Sequence, residues 1–246
     1  MKLYGLIGYP LGHSFSKKYF TEKFAREGIN DCRYESFPLK TIDELKNLLT
    51  QNPELCGFNI TIPYKQAVLA FLDDSTKLPA DLNACNCIKI VEGKLVGYNT
   101  DVTGFEKSLQ LKLKDHHKSA LVLGNGGAAE AVKFVLNKLH INFTIVGRKL
   151  RGDVNITYAD LNENIIKENL LIINTTPLGT FPNIDECAEI PYQYLTTQHL
   201  LYDLVYNPPK TLFLQKGEAQ GAAIKNGSDM LDIQAEESWR IWNEKD

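Results

Sequence analysis

The chain has 246 residues, and its 27 basic and 30 acidic side chains leave a formal net charge of −3. Hydrophobic residues make up 43% and charged residues 23%, an ordinary globular balance that excludes wholesale disorder. There is no basic excess of the kind nucleic acid demands, and no run of about 18 apolar residues to span a membrane.

The opening MKLYGLIGYP reads as a strand and turn rather than a secretory signal. Cys32, Cys56, Cys85, Cys87 and Cys187 form no C-x-x-C, and no metal-ligand spacing joins them to the five histidines. They are expected to be buried or half-buried free thiols in a cytoplasmic protein without a metal.

Strand and helix patterns then alternate. Residues 2–8 are an apolar strand, and 16–27 an amphipathic helix with Tyr19, Phe20 and Phe24 on one side. A strand over 32–37, a helix over 42–49 and a strand over 55–62 follow. Pro63 suits a first helical position, so a helix is predicted to about residue 72. Residues 84–91 and 94–98 form a hairpin around Glu92-Gly93. A helix follows Asp101 to about residue 113. After a polar interruption at Lys114–Lys118 a second series begins. Its strands are 120–123, 142–146, 170–174, 200–205 and 222–224, with helices over 128–139 and 211–219. An amphipathic helix over 228–242 ends the chain. Repeated βα units predict an α/β protein with mostly parallel sheets, divided near 101–104.

The strand at 120–123 ends in Gly124-Asn125-Gly126-Gly127-Ala128-Ala129, and a helix follows. Glycines there let a pyrophosphate approach the backbone, and the helix start supplies N–H groups. The third glycine comes early, and Ala129 takes the last small-residue position of the pattern. The next strand ends Gly147-Arg148-Lys149, with no carboxylate before Asp153. An NAD site usually places an acid there for the ribose 2′-OH, whereas Arg grips a 2′-phosphate. NADP is therefore favoured over NAD.

In the first half, polar groups crowd strand ends, where small ligands bind in α/β sheets. Ser14 and Ser16 precede a helix; one suits an N-cap, and two also suit a carboxylate ligand. Asn59 and Thr61 share one strand face. Lys65 is placed just inside the helix begun by Pro63, where an unpaired ammonium opposes the helix dipole and suits acid–base work. Asn86 is open to an edge hydrogen bond or a ligand, and Asp101 to a helix N-cap or a site. Gln234 lies in the inward stripe of the last helix with Leu231 and Ala235, so it needs partners.

Together these segments resemble the shikimate dehydrogenase family over nearly the whole chain. The matching motifs are Gly8–Ser16, Gly57–Lys65, Gly97–Asp101, the glycine turn, Asn174–Gly179, Asp203–Pro208, and Met230-Leu231 followed by Gln234. The resemblance implies reversible NADPH-dependent reduction of 3-dehydroshikimate to shikimate in chorismate and aromatic amino-acid biosynthesis. It implies a Rossmann-type NADP-binding domain over 102–227. The substrate domain would comprise 1–101, with the last helix (228–246) returning to it and the site in the cleft between them. Ser14 and Ser16 would bind the carboxylate with Tyr206 nearby. Asn59, Thr61, Lys65, Asn86, Asp101 and Gln234 would hold the ring hydroxyls and reacting oxygen, with Lys65 and Asp101 as the catalytic pair. Gly124, Asn125, Gly126, Gly127, Ala128, Arg148, Lys149, Thr175, Thr176, Pro177, Val205 and Gly227 would hold NADP(H). Monomer and homodimer both stay open. Departures from the family pattern are Lys17 for Pro, Gly147-Arg148-Lys149 for Asn-Arg-Thr, Cys85 and Cys87 flanking Asn86, and Thr180 for Met.

Overall fold

Residues 1–12 and 15–244 are described by the structure, a computed structural model. The chain divides into two compact units, Met1–Thr103 with Asp232–Asp246, and Gly104–Leu231.

In chain order the first unit holds β1 (Lys2–Gly8), α1 (Phe15–Glu27), β2 (Cys32–Pro38), α2 (Leu45–Gln51), β3 (Leu55–Ile60), β4 (Cys87–Val91) and β5 (Lys94–Tyr98). The first unit ends within α3 (Thr100–Gln110). The second unit holds β6 (Ser119–Leu123), α4 (Gly127–Lys138), β7 (Asn142–Gly147), β8 (Ile156–Thr157), α5 (Glu163–Glu168), β9 (Leu171–Asn174), β10 (Leu200–Asp203), α6 (Leu212–Ala219) and β11 (Ala223–Lys225). The chain closes with α7 (Ser228–Asn243), most of which belongs to the first unit.

The first sheet runs β2-β1-β3-β4-β5, with β2, β1 and β3 parallel and β4 and β5 antiparallel to their neighbours. Alternation along β1 sends Leu3 and Ile7 to one face and Tyr4 and Leu6 to the other. Leu3 and Ile7 pack with Leu45, Leu48, Phe58 and Ile60. Tyr4 and Leu6 pack with Phe20, Phe24, Tyr34, Ala235 and Trp242, so α1 and α7 cover that face. The Trp242 ring stacks on Tyr4 at 4.8 Å, and its Nε1–H donates to Ile88 O at 2.9 Å. A buried indole N–H needs such a partner, and the bond fixes the axial position of α7 on the sheet.

The second sheet is wholly parallel, in the order β11-β10-β9-β6-β7-β8. Counted within the unit this is the 3-2-1-4-5-6 order of the doubly wound fold, with its switch point between β6 and β9. Its central strands β6, β9 and β10 are buried on both faces, as helix-covered parallel strands must be.

Several expectations are corrected. The helix predicted from Pro63 is only a 3₁₀ segment, Ala67–Phe71. The Lys65 carbonyl accepts from Cys85 N at 2.8 Å, so it does not head a helical ladder. Lys65 therefore lies before the helical turn, and its ammonium is paired rather than alone. The helix N-cap proposed for Asp101 belongs to Asn99, whose Oδ1 accepts from Val102 N at 3.2 Å. The strand predicted from residue 84 begins at Cys87. Two short elements, β8 and α5, carried no periodicity long enough to read. All five cysteines are free, Cys85 and Cys87 buried and the others half-buried.

Candidate active site

The first unit gathers the polar groups of five segments. Lys65 Nζ lies 2.6 Å from Asp101 Oδ2. Asp101 is in the first turn of α3, 8% exposed, and Lys65 is half-buried in the turn after β3. With Asn99 capping the helix, the Asp101 carboxylate is released to meet the ammonium.

Around this pair lies a buried amide and hydroxyl network. Asn86 Oδ1 accepts from Thr100 N at 2.6 Å, and Asn86 Nδ2 donates to Thr100 Oγ1 at 3.0 Å. Asn59 Nδ2 donates to Asn86 O and to Ser238 Oγ, while Asn59 Oδ1 accepts from Tyr34 OH at 2.9 Å. Gln234 Oε1 lies 3.4 Å from Thr100 Oγ1. The Tyr34 hydroxyl is also hydrogen-bonded by Ser16, and burial pushes its pKa well above the ordinary phenol value. Ser16, Asn59, Asn86, Asp101 and Gln234 are thus joined or adjacent through Tyr34 and Thr100. Thr61 follows β3, half-buried, its N–H bonded to Ile7 O. Ser14 lies outside the described residues. Tyr206 lies in the second unit, half-buried, its pKa raised by burial. Burial lifts the Cys85 thiol to about 12 and Cys87 higher still, so neither is a nucleophile near neutral pH.

The expected cofactor residues sit on the carboxyl rim of the second sheet. Gly124 has φ +100°, and a Cβ there would meet Thr176 Cγ2 at 2.8 Å and Thr175 Oγ1 at 2.9 Å. Gly126 is the N-cap of α4 and brings no side chain, so the first-turn N–H groups receive no side-chain cap. Asn125 and Gly126 are exposed, and Gly127 and Ala128 half-buried. Arg148 and Lys149 are exposed just past β7. The first acid beyond them, Asp153, is held by Lys133 at 2.8 Å, which lowers its pKa. The residues present fit a dinucleotide phosphate: an open glycine cradle, uncapped N–H groups and two cations with the nearby acid neutralised.

Behind this rim lies a hub that local pattern did not predict. Asp203, fully buried at the end of β10, accepts from Asn174 Nδ2 at 2.9 Å, Val205 N at 3.0 Å and Thr211 Oγ1 at 2.5 Å. Asn174 Oδ1 in turn holds the N–H and hydroxyl of Thr176 at 3.0 and 2.6 Å. Thr175 Oγ1 donates to Leu123 O at 2.8 Å. The loop after β9, which includes Thr175, Thr176 and Pro177, is thereby tied to β6 and β10. Gly227 must be glycine, because a Cβ would lie 2.3 Å from Leu204 O; its N–H reaches Val205 O. Burial raises the Asp203 pKa to about 6, against the three donors. An acid within the strand-end motif Asp203–Pro208 was the available signal.

The second unit also has a cavity of about 810 Å³ lined by Arg148, Tyr158, Leu178, Cys187 and Lys216 among others. It shares Arg148 with the expected cofactor set and is not lined by the glycine turn.

The doubly wound sheet with its glycine turn, carried in one chain with a second α/β unit, defines a two-unit dinucleotide-binding protein. A family model described as the shikimate dehydrogenase substrate binding domain matches residues 6–88. The chain belongs to the shikimate dehydrogenase family: it is 36% identical over 261 residues to the shikimate dehydrogenase (NADP(+)) of Methanococcus maripaludis strain C6, covering 99% of this chain and 92% of that protein. Among solved structures, the enzyme of Thermus thermophilus in complex with NADP(H) and shikimate superposes with a TM-score of 0.85 at 27% identity, covering 99% of this chain and 94% of that one. The enzyme of Listeria monocytogenes in complex with shikimate and NAD also gives 0.85 at 27% identity, covering 100% of this chain and 92% of that one.

Proposed function

We propose that this protein catalyses the reversible NADPH-dependent reduction of 3-dehydroshikimate to shikimate. The observation that carries the reading is the 2.6 Å contact of Lys65, which lies in the segment the substrate-domain model matches, with Asp101, next to the Asn86–Thr100 network. The first unit with α7 serves the substrate, and the second serves the nucleotide.

The nicotinamide cofactor, when bound, supplies or accepts the hydride. The protein's own part is acid–base and positional. As an ammonium, Lys65 stabilises negative charge building on the substrate's ketone oxygen and is placed to give it a proton. Asp101 holds Lys65 in orientation. Such assistance is worth about 10²–10⁴-fold in rate. Ser14, Ser16, Thr61, Asn59, Asn86 and Gln234, with Tyr206, orient carboxylate and hydroxyls. Among the described residues Asn86 still has a second Nδ2–H to offer a ligand beyond the one given to Thr100. Arg148 and Lys149 take the 2′-phosphate, and Gly124–Ala128, Thr175–Pro177, Val205 and Gly227 shape the rest of the cofactor site.

The test is initial rates at 340 nm with shikimate or quinate, each with NADP⁺ or NAD⁺. Fast turnover with shikimate and NADP⁺ is expected. Preference for NAD⁺, the cofactor in the Listeria complex, or for quinate would overturn the specificity assigned here. No turnover with any pair in folded protein would overturn the activity.

A further inference from the structure

We infer that Ser238 is a positioning residue for the substrate site: its hydroxyl on α7 sets the orientation of Asn59 and supplies an acceptor to the Thr100 hydroxyl. The inference rests on the proposed function for its kinetic meaning.

Ser238 is fully buried on the inward face of α7, one turn after the buried amide Gln234 and among the apolar Ala235, Ile241 and Trp242. A hydroxyl in such a place needs a reason, since burial without partners costs about 1–3 kcal/mol. Here the hydroxyl is fully used. It donates to Gln234 O at 2.9 Å, accepts from Asn59 Nδ2 at 2.9 Å and stands 3.2 Å from Thr100 Oγ1. With its one proton given to Gln234 O, Ser238 can only accept from Thr100, whose hydroxyl also lies 3.3 Å from Asn86 Oδ1 and 3.4 Å from Gln234 Oε1. The Thr100 oxygen is then left to accept from Asn86 Nδ2 at 3.0 Å. Asn86 donates to Thr100 and Ser238 to the helix backbone, with Ser238 the nearest of three acceptors around the Thr100 hydroxyl.

Asn59 is fixed by the same logic. Its Nδ2 faces two acceptors, Ser238 Oγ and Asn86 O, and its Oδ1 faces the Tyr34 hydroxyl. Turning the amide over would set an oxygen against the Asn86 carbonyl, which has no proton to give. Both N–H groups of Asn59 are spent inside the protein. The Asn59 amide is thus a brace between α7 and the strand ends, and any substrate contact falls to its oxygen. Removing the Ser238 oxygen leaves one buried Asn59 N–H without its acceptor, loosens that amide, and takes the nearest of three acceptors from the Thr100 hydroxyl. The last helix therefore serves the site through two residues one turn apart, Gln234 and Ser238.

Packing and positioning make opposite demands on variants. Ser238→Ala removes the hydroxyl and nothing else from a helix that tolerates Ala well. Ser238→Thr keeps the hydroxyl and adds a methyl at a fully buried position. The expected result is a rise of roughly tenfold in KM for shikimate in Ser238→Ala. Its kcat should stay within about threefold and its KM for NADP⁺ unchanged, with Ser238→Thr closer to wild type in KM. Ser238→Ala within twofold of wild type, or Ser238→Thr the worse of the two in KM, would overturn the inference. A second readout does not depend on turnover. By NMR the Asn59 side-chain amide protons, assigned by their loss in Asn59→Ala, should exchange at least about tenfold faster in Ser238→Ala than in wild type. Unchanged exchange would overturn the inference even in a protein that turned over no shikimate. Faster exchange in such a protein would uphold the brace and overturn only the proposed activity.

Discussion

Lys65 Nζ and Asp101 Oδ2 are 2.6 Å apart, although their residues lie 36 positions apart in the chain. Lys65 comes from the turn after β3 and Asp101 from the first turn of α3. Asn99 takes the capping role that would otherwise engage the acid, and the Cys85 amide takes the Lys65 carbonyl. The two segments that carry the ion pair are thus each held by a further hydrogen bond of their own.

Replacing Lys65 with Ala should lower kcat by about 10²–10⁴-fold while KM for shikimate rises far less. The comparison is steady-state kinetics of Lys65→Ala against wild type. A loss confined to KM would remove Lys65 from the chemistry and leave it a binding group.

Arg148→Ala should raise KM for NADP⁺ by roughly 10–100-fold, as loss of a charge-assisted contact to a 2′-phosphate does. KM for NAD⁺ should stay within about threefold, because NAD⁺ lacks that group. Equal effects on the two cofactors would assign Arg148 to another part of the nucleotide.

Asp203 makes stability depend on pH in an unusual direction for an acid. Its folded pKa is raised from 3.8 to about 6 by burial, so the folded chain holds this proton more tightly than the unfolded chain. Its contribution to stability is greatest below the unfolded value and declines as pH rises through about 6. Urea unfolding at pH 4.5 and pH 7 should show that decline in wild type relative to Asp203→Asn, which does not titrate. The same slope in both proteins would contradict this assignment.

His117 works the other way. It is 3% exposed, its Nδ1 accepts from Lys114 N at 3.0 Å, and its Nε2 meets Gln198 O at 3.1 Å. Burial lowers its pKa from 6.5, so the folded state favours the neutral ring. Protonation would set an N–H on Nδ1 against the Lys114 N–H. Its contribution is present above pH 6.5 and is lost as pH falls through that value toward the folded pKa. Titration of the ring by NMR should give a midpoint below 6.5, with faster exchange of the Lys114 amide at acid pH. A midpoint at or above 6.5 would refute this.

Much of this was legible from local pattern. The strand over residues 2–8 matches β1, and the turn at Glu92-Gly93 joins β4 to β5. The glycine turn opens α4, and Gln234 lies on the inward stripe of α7. Such features are written in a few consecutive residues, because glycine permits backbone forms others resist and burial repeats with the period of the element. The helix expected from Pro63 failed for the converse reason: a distant amide, Cys85 N, claims the Lys65 carbonyl. Short β8 and α5 hold too few residues for any period to show.

The sequence by itself determined the α/β alternation, the glycine turn with its basic strand end, and the residue types available to the site. Each follows from composition and local spacing. Only the tertiary structure decided which donor meets which acceptor. It brought Lys65 to Asp101, closed the Asn86–Thr100–Ser238–Asn59 network across β3, α3 and α7, and buried Asp203 among three donors. Those partners are separated by up to 179 residues, and a hydrogen bond is decided by tenths of an ångström. Periodicity reports which face of an element is buried; strand register and helix docking decide what each buried group finds there.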